Sequence, residues 1–364
     1  MHVLICGGGV IGVSIAYFLS CRGVKATVIE STGLACAASG KAGGFLARDW
    51  CDESPLGPLA RRSFALHAEL AERLGGNWGY RRLDTFGGFA GVARRRSPHP
   101  LGWLSDAVIV SQALGSIENT AQVHPGQFTA AMMRAAQDQG AELSHGRVTG
   151  IVQRDGRATG VEINGAIVDG DAVVIALGPW SILAARWLPL PAVFGLKGHS
   201  LVFDTGTTVP GQAVFLEYRE RSGAMLTPEL FPRPDGTTYV CAISSEERLP
   251  TDPIRVVPDP GAIERLEALC TSISPVLASA PILAQQACYR PVTKDGLPII
   301  GPVPKVANAY VAAGHSVWGI LNAPATGEAM AELILDGIPH TVNLEAFHPD
   351  RMPPLDPARL QISY

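Results

Sequence analysis

The sequence predicts an α/β fold: a Rossmann-type domain on a parallel sheet, with an inserted α+β domain built on an antiparallel sheet. Three observations predict it. The chain opens as strand, glycine cluster, helix, strand and acid, all by Glu30. Buried-strand patterns return at 172–176 and 310–314. Between them, at 191–287, strand-like runs are broken by Pro and Gly and interrupted by one helix, which marks a separate layer.

Taken in order, His2-Val3-Leu4-Ile5-Cys6 is a short apolar run suited to a strand buried on both faces. A helix is predicted over 13–22, with Ile15, Ala16, Phe18 and Leu19 at helical spacing and Gly23 as its stop. Residues 25–29 form a second strand that ends at Glu30. A Gly/Ala/Ser-rich loop spans 33–44, and 56–74 reads as a helix closed by Gly75-Gly76. Short strand and turn signals fill 80–120. Pro125 opens a helix that Gly140 stops. Strands are predicted at 142–152, 159–163, 172–176, 200–203 and 239–243, then a helix at 261–272 and a strand at 310–314. A closing helix at 326–336 ends at Gly337, and the tail after His340 is Pro-rich and irregular.

The glycine spacing is Gly7-x-Gly9-x-x-Gly12. The first glycine permits a tight turn, the second lets backbone approach a pyrophosphate, and the third lets helix and strand pack closely. The helix N-terminus then offers free N–H groups and a positive dipole end to phosphates. Glu30, at the end of the second strand, suits ribose hydroxyls. The motif does not separate NAD from FAD.

Composition narrows the rest. Apolar residues make up 47% and charged residues 17%, with net charge −4, so the chain can build a core and is no electrostatic nucleic-acid binder. The run from His67 and the triplet Arg94 to Arg96 read as solvated surface. The seven cysteines are scattered, with no CxxC and no zinc spacing, so no metal site is expected and the thiols read as reduced. No apolar run is long enough to span a bilayer, and the stretch from Val3 runs straight into glycines. A soluble, cytoplasmic protein with no nucleic-acid or membrane partner is expected; oligomeric state stays open.

Four further segments decide between cofactors. They are Ala38-Ser39-Gly40-Lys41-Ala42-Gly43-Gly44; Ala176-Leu177-Gly178-Pro179-Trp180-Ser181; 290–301, from Arg290-Pro291-Val292 to Ile300-Gly301; and 314–327, from Gly314-His315-Ser316 to Thr326-Gly327. Their order and spacing resemble the D-amino acid oxidase superfamily of FAD enzymes, nearest its glycine oxidase branch. The resemblance runs from the first strand to the closing helix.

The resemblance implies a glutathione-reductase-like FAD-binding domain from 1–80, 121–190 and 288–364, and a substrate-binding domain from 81–120 and 191–287. It places Gly7, Gly9, Val10, Ile11 and Gly12 at the diphosphate and Glu30 at the ribose. Ala37, Ala38, Ser39, Ala42, Gly43 and Gly44 line the loop toward the isoalloxazine, Val148 contacts the adenine half, and Gly178 and Trp180 complete that side. Gly314, His315, Ser316, Val317, Trp318, Gly319, Ile320 and Leu321 wrap the far end of the flavin, where a helix N-terminus favours negative charge on the reduced ring. Arg290 matches the position that grips a substrate carboxylate, a task for a bidentate, permanently charged fork; the alternative is a structural pairing with Asp295. His199, Tyr218 and Trp318 are further candidates for the substrate pocket.

The chain also departs from its relatives. Sarcosine-oxidase-like enzymes carry a covalent flavin on a cysteine at the place of Cys288, whereas glycine oxidases hold FAD non-covalently; non-covalent FAD is favoured here, with a link through Cys288 as the alternative. Leu321 stands where the former place a carboxylate-binding lysine. The implied reaction is oxidation of the C–N bond of a small amine or amino acid by hydride transfer to flavin N5. It gives an imine and, with O2, hydrogen peroxide. No catalytic side chain is assigned, because the lone pair of a neutral amine already drives hydride departure. The alternatives are a dehydrogenase passing electrons to another acceptor, an NAD-dependent dehydrogenase, and a flavin-binding protein without turnover.

Overall fold

The fold is described from a computed structural model, over residues 1–91 and 101–360. The triplet Arg94 to Arg96 lies outside the described residues. The labelled elements, in chain order, are β1 (His2–Cys6), α1 (Val10–Ser20), β2 (Lys25–Glu30), α2 (Gly57–Arg73), α3 (Pro125–Asp138), β3 (Glu142–His145), β4 (Ala172–Ile175), β5 (Phe194–Asp204), β6 (Gln212–Arg219), β7 (Glu229–Pro232), β8 (Thr237–Ser245), α4 (Ala262–Ile273), β9 (Ile282–Val292), β10 (Ile299–Pro302), β11 (Ala309–Ala313) and α5 (Gly319–Asp336).

One sheet runs β10-β11-β4-β1-β2-β3 and is parallel except for the β10–β11 pair. β1 lies inside it and is buried on both faces, as its unbroken apolar run requires. Val3 and Ile5 pack with α1 and α5, while Leu4 and Cys6 pack with a three-stranded sheet from 148–169. A second, larger sheet runs β9-β5-β8-β7-β6 and then Asp84–Gly91 and Ile109–Gly115. It is antiparallel except where β6 pairs with Asp84–Gly91. α4 covers one of its faces, against Leu201, Val214, Leu230 and Val240. The other face turns toward the glycine motif. No helix among the described residues is long and apolar enough to cross a membrane, and they hold no cluster of metal-ligating side chains. All seven cysteines are free.

Three expectations are corrected. The helix after the glycine motif starts at Val10 rather than Val13, which brings its first turn onto the motif itself. The predicted strand over 142–152 is two strands: Gly146 donates to the Glu30 carbonyl at 2.9 Å, and the chain then turns into Val148–Arg154 of a different sheet.

The largest correction concerns the last helix and His67. The helix begins at Gly319, not Thr326, and carries Pro324 inside it. A proline there lacks the N–H that would serve the Ile320 carbonyl. α2 repairs the defect from outside. His67 Nε2 donates to the carbonyls of Ile320 at 2.9 Å and Leu321 at 3.2 Å, and the Ala325 amide donates to Ser63 Oγ at 3.0 Å. The Arg62 guanidinium clamps Glu328 bidentately beside them, at 2.8 and 2.7 Å. His67 is therefore a fully buried splint and not surface. The short period of α2 places Ser63 and His67 on one face, four residues apart.

Burial pushes the His67 imidazole down to about 4. Its folded value is below its unfolded value near 6.5, so its contribution to stability is intact above about pH 6.5 and is lost as pH falls toward 4. The loss is about 3 kcal/mol across that window. His67→Gln keeps an N–H donor and should flatten this acid slope in urea titrations. His67→Leu should cost about 1–3 kcal/mol at neutral pH by orphaning the carbonyls, and less in a Pro324→Ala background. An equal cost in both backgrounds would remove the splint explanation.

Candidate active site

The β1–α1 turn is built by steric necessity. Gly7 has φ +117°, and a Cβ there would sit 2.4 Å from the Ala176 carbonyl oxygen. A Cβ on Gly12 would sit 2.1 Å from the Gly7 carbonyl oxygen, so helix and strand approach as closely as the motif demands. Gly9 differs: only Ser39 Oγ, at 3.1 Å, lies near the position of its missing Cβ. Gly7, Gly9, Val10 and Ile11 line a cavity of about 480 Å³ that runs from this turn to the large sheet. Gly12 does not line it; its role is the close approach.

Glu30 is tied into the same turn. Its Oε2 accepts from the Gly8 amide at 2.8 Å, and its Oε1 from the amides of Thr32 at 2.8 Å and Gly33 at 3.3 Å. The carboxylate is thus oriented by backbone at the cavity wall, where Val148 also lies. Ala37, Ala38, Ser39, Ala42 and Gly43 form the next stretch of wall. Ser39 Oγ accepts from the Val10 amide at 2.9 Å, which joins that loop to the start of α1. Gly43 packs on Phe231, whereas Gly44 turns toward the Val123 carbonyl, away from the cavity. Gly178 and Trp180 line it from the segment after β4.

At the far end, Gly314, His315, Ser316, Val317, Gly319 and Ile320 line the cavity around the start of α5. Ser316 holds φ +50°, a left-handed conformation for a residue with a side chain. His315 is fully enclosed, and burial alone pushes it down to about 3, so it is neutral. One nitrogen meets Thr326 Oγ1 at 3.1 Å, and Nδ1 has no partner among the described residues. Leu321 is buried in the core behind this segment, and Trp318 packs edge-on against Trp50 at 6.4 Å; neither lines the cavity.

Arg290 on β9 lines the cavity. Its guanidinium lies over Gly198 of β5, where a Cβ would come within 3.1 Å of Nη2, and Nη1 meets Ser244 Oγ at 3.3 Å. No carboxylate among the described residues is within ion-pair distance of it. The alternative partner, Asp295, is taken by Arg351 at 2.7 Å. Cys288, two residues earlier on the same face, also lines the cavity, and burial pushes its thiol up, which keeps it protonated and weakens it as a nucleophile.

The structure does not bring His199 or Tyr218 to this cavity. Strand alternation puts Gly198 on the cavity side and turns His199 to the other face. There His199 is buried, with Nδ1 3.2 Å from the Ile243 carbonyl and Nε2 accepting from the Asp259 amide at 3.1 Å. Tyr218 packs toward α4, with its hydroxyl 3.1 Å from Ser272 Oγ. In their place stand Glu229, Tyr239 and Cys241, which sequence reasoning missed. The available signal was Glu229 itself, a lone acid in the apolar run Glu229-Leu230-Phe231-Pro232.

Comparison with known proteins agrees with this geometry. Residues 2–333 match the family described as DAO, FAD dependent oxidoreductase. A Schizosaccharomyces pombe protein described as an oxidoreductase is 30% identical, over 96% of this chain and 98% of its own. The glycine oxidase of Bacillus licheniformis is 31% identical, over 96% of each chain. The crystal structure of glycine oxidase from Geobacillus kaustophilus superposes with a TM-score of 0.80 at 26% identity, over 96% of this chain and 98% of that one. The match leaves no place for the NAD-dependent alternative. The chain belongs to the DAO family of FAD-dependent oxidoreductases.

Proposed function

We propose that this enzyme oxidises the C–N bond of a small amino acid or amine and passes the electrons to O2. The observation that carries the reading is one continuous cavity joining the glycine turn to the guanidinium of Arg290, which has no carboxylate within ion-pair distance among the described residues. Relatives named glycine oxidase support the substrate class.

The residues present fit FAD. Small side chains at Gly7, Gly9, Ala37, Ala38, Ala42 and Gly43 leave the cavity open along its length, and Nδ1 of His315, without a partner among the described residues, remains for a ligand. The β1–α1 turn and Glu30 would hold the adenosine diphosphate half, and the start of α5 the ring. When bound, FAD supplies a hydride acceptor for the carbon beside the substrate nitrogen, which leaves an imine for water to hydrolyse. Arg290 orients the substrate by its carboxylate, and the permanent charge of the guanidinium keeps that grip across pH. His315 stays neutral, so negative charge near it is met by the dipole of α5 rather than by an imidazolium.

The test is anaerobic mixing of the holoenzyme with glycine, L-proline, iminodiacetate, N-methyl amino acids and simple primary amines. At least one should bleach the flavin, and readmitted O2 should restore the colour with release of peroxide. A flavin that no amine bleaches overturns the reading. Acid precipitation should leave the yellow colour in the supernatant; colour retained in the pellet would show a covalent link through Cys288.

A further inference from the structure

The cavity wall holds a carboxylate that the reaction as described does not use. Glu229 on β7 lines the cavity on the same sheet face as Arg290. Its side-chain contact is Cys241, whose thiol donates to Oε2 at 3.6 Å, a weak donor at long range. No cation among the described residues lies within ion-pair distance of it. An ionised carboxylate has about four acceptor sites, so Glu229 enters the cavity with most of its capacity unspent.

Apart from Arg290, the groups that face it are neutral. Cys241 and Tyr239 face it from β8, and both are held protonated by burial. Phe215 of β6 pairs opposite it in register. From β9 come Arg290, which acts on it electrostatically beyond ion-pair distance, and the protonated Cys288. Lys41, which does not line the cavity, donates to the Ala287 carbonyl at 3.1 Å. Glu229 and Arg290 therefore line the cavity with charges of opposite sign, and neither has an ion-pair partner among the described residues. That is the pattern a zwitterion complements.

We propose that Glu229 receives the ammonium group of the substrate and takes its proton, while Arg290 holds the carboxylate. The inference rests on the proposed C–N oxidation. In the step itself an N–H bond of the ammonium breaks and an O–H bond forms on Glu229; no electrons leave the substrate. The product is the neutral amine whose lone pair hydride departure requires. The proton returns to water when the site empties. Burial already raises the pKa of Glu229, with Arg290 opposing, so the carboxyl is a better proton acceptor than one in water.

Two ligands on the holoenzyme test it, each read by perturbation of the flavin spectrum under anaerobic conditions. Glycine carries both charges, and propionate carries the carboxylate alone. Glu229→Gln should weaken glycine by about 30-fold or more, as loss of one partner of a buried charge pair does, and leave propionate unchanged or tighter. In the wild type, glycine affinity should fall as pH drops through the titration of Glu229, and this acid limb should vanish in Glu229→Gln. The rate of flavin bleaching by the best amine of the panel should lose the same limb. Glycine binding that is unaltered in Glu229→Gln, or glycine and propionate weakened equally, overturns the proposal. Inert amines with Glu229-dependent glycine binding would instead overturn only the C–N oxidation reading.

Discussion

Gly9→Val is expected to yield a folded protein that purifies without flavin. The expectation rests on how Gly9 differs from its neighbours. A side chain at Gly7 or Gly12 would strike backbone carbonyls at 2.4 and 2.1 Å, so those positions report on folding. At Gly9 the backbone is extended, with φ −78° and ψ 173°, a conformation valine adopts freely. The protein meets the new Cβ only through Ser39 Oγ. The rest of the valine side chain occupies the cavity that the diphosphate needs. Visible absorbance per chain measures occupancy. Added FAD at about 100 times its wild-type Kd should stabilise the wild type by about 2.7 kcal/mol and the variant by nothing. Stoichiometric flavin in Gly9→Val would sink the assignment of this turn to the diphosphate.

Arg290→Ala should raise KM for a carboxylate-bearing substrate by about 2–5 kcal/mol, roughly 30-fold to several thousand-fold. Flavin content should stay unchanged. The effect is large because no carboxylate of the described residues neutralises the guanidinium, so the substrate supplies its counter-charge. Removing the cation also leaves Glu229 on that face without the opposing charge of Arg290, which further disfavours a carboxylate there. Arg290→Lys should recover part of the loss, since an ammonium keeps the charge but not the two-pronged geometry. An unaltered KM in Arg290→Ala removes this residue from the substrate site.

The glycine motif and Glu30 were legible because their chemistry is local, and the segments around Arg290 and His315 because they resemble those of a known family. A tight turn and a close helix–strand approach are dictated by residues adjacent in the chain. The substrate face was less legible. β5, the β7–β8 hairpin and β9 are far apart in sequence, and their alternate residues share one side of a common sheet. Which side is decided by strand parity and by the bulge between His199 and Ser200, and a one-residue difference turns a side chain to the opposite face. His199 and Tyr218 were misplaced for that reason, and Glu229 was missed for it.

His67 and Pro324 show the same limit in a helix. Proline ordinarily marks a break, so the closing helix seemed to start beyond it; a splint from α2, more than 250 positions away, lets the helix begin at Gly319 and aim its N-terminus at the cavity. By itself, then, the sequence determined the dinucleotide turn, which short-range sterics carry, and, through the resemblance of four further segments, the FAD class and Arg290 as the candidate for the substrate carboxylate. Only the tertiary structure decided which carboxylate shares a cavity wall with that arginine and where the last helix starts. Those outcomes depend on partners brought together by sheet register and helix packing, over distances along the chain that no local pattern spans.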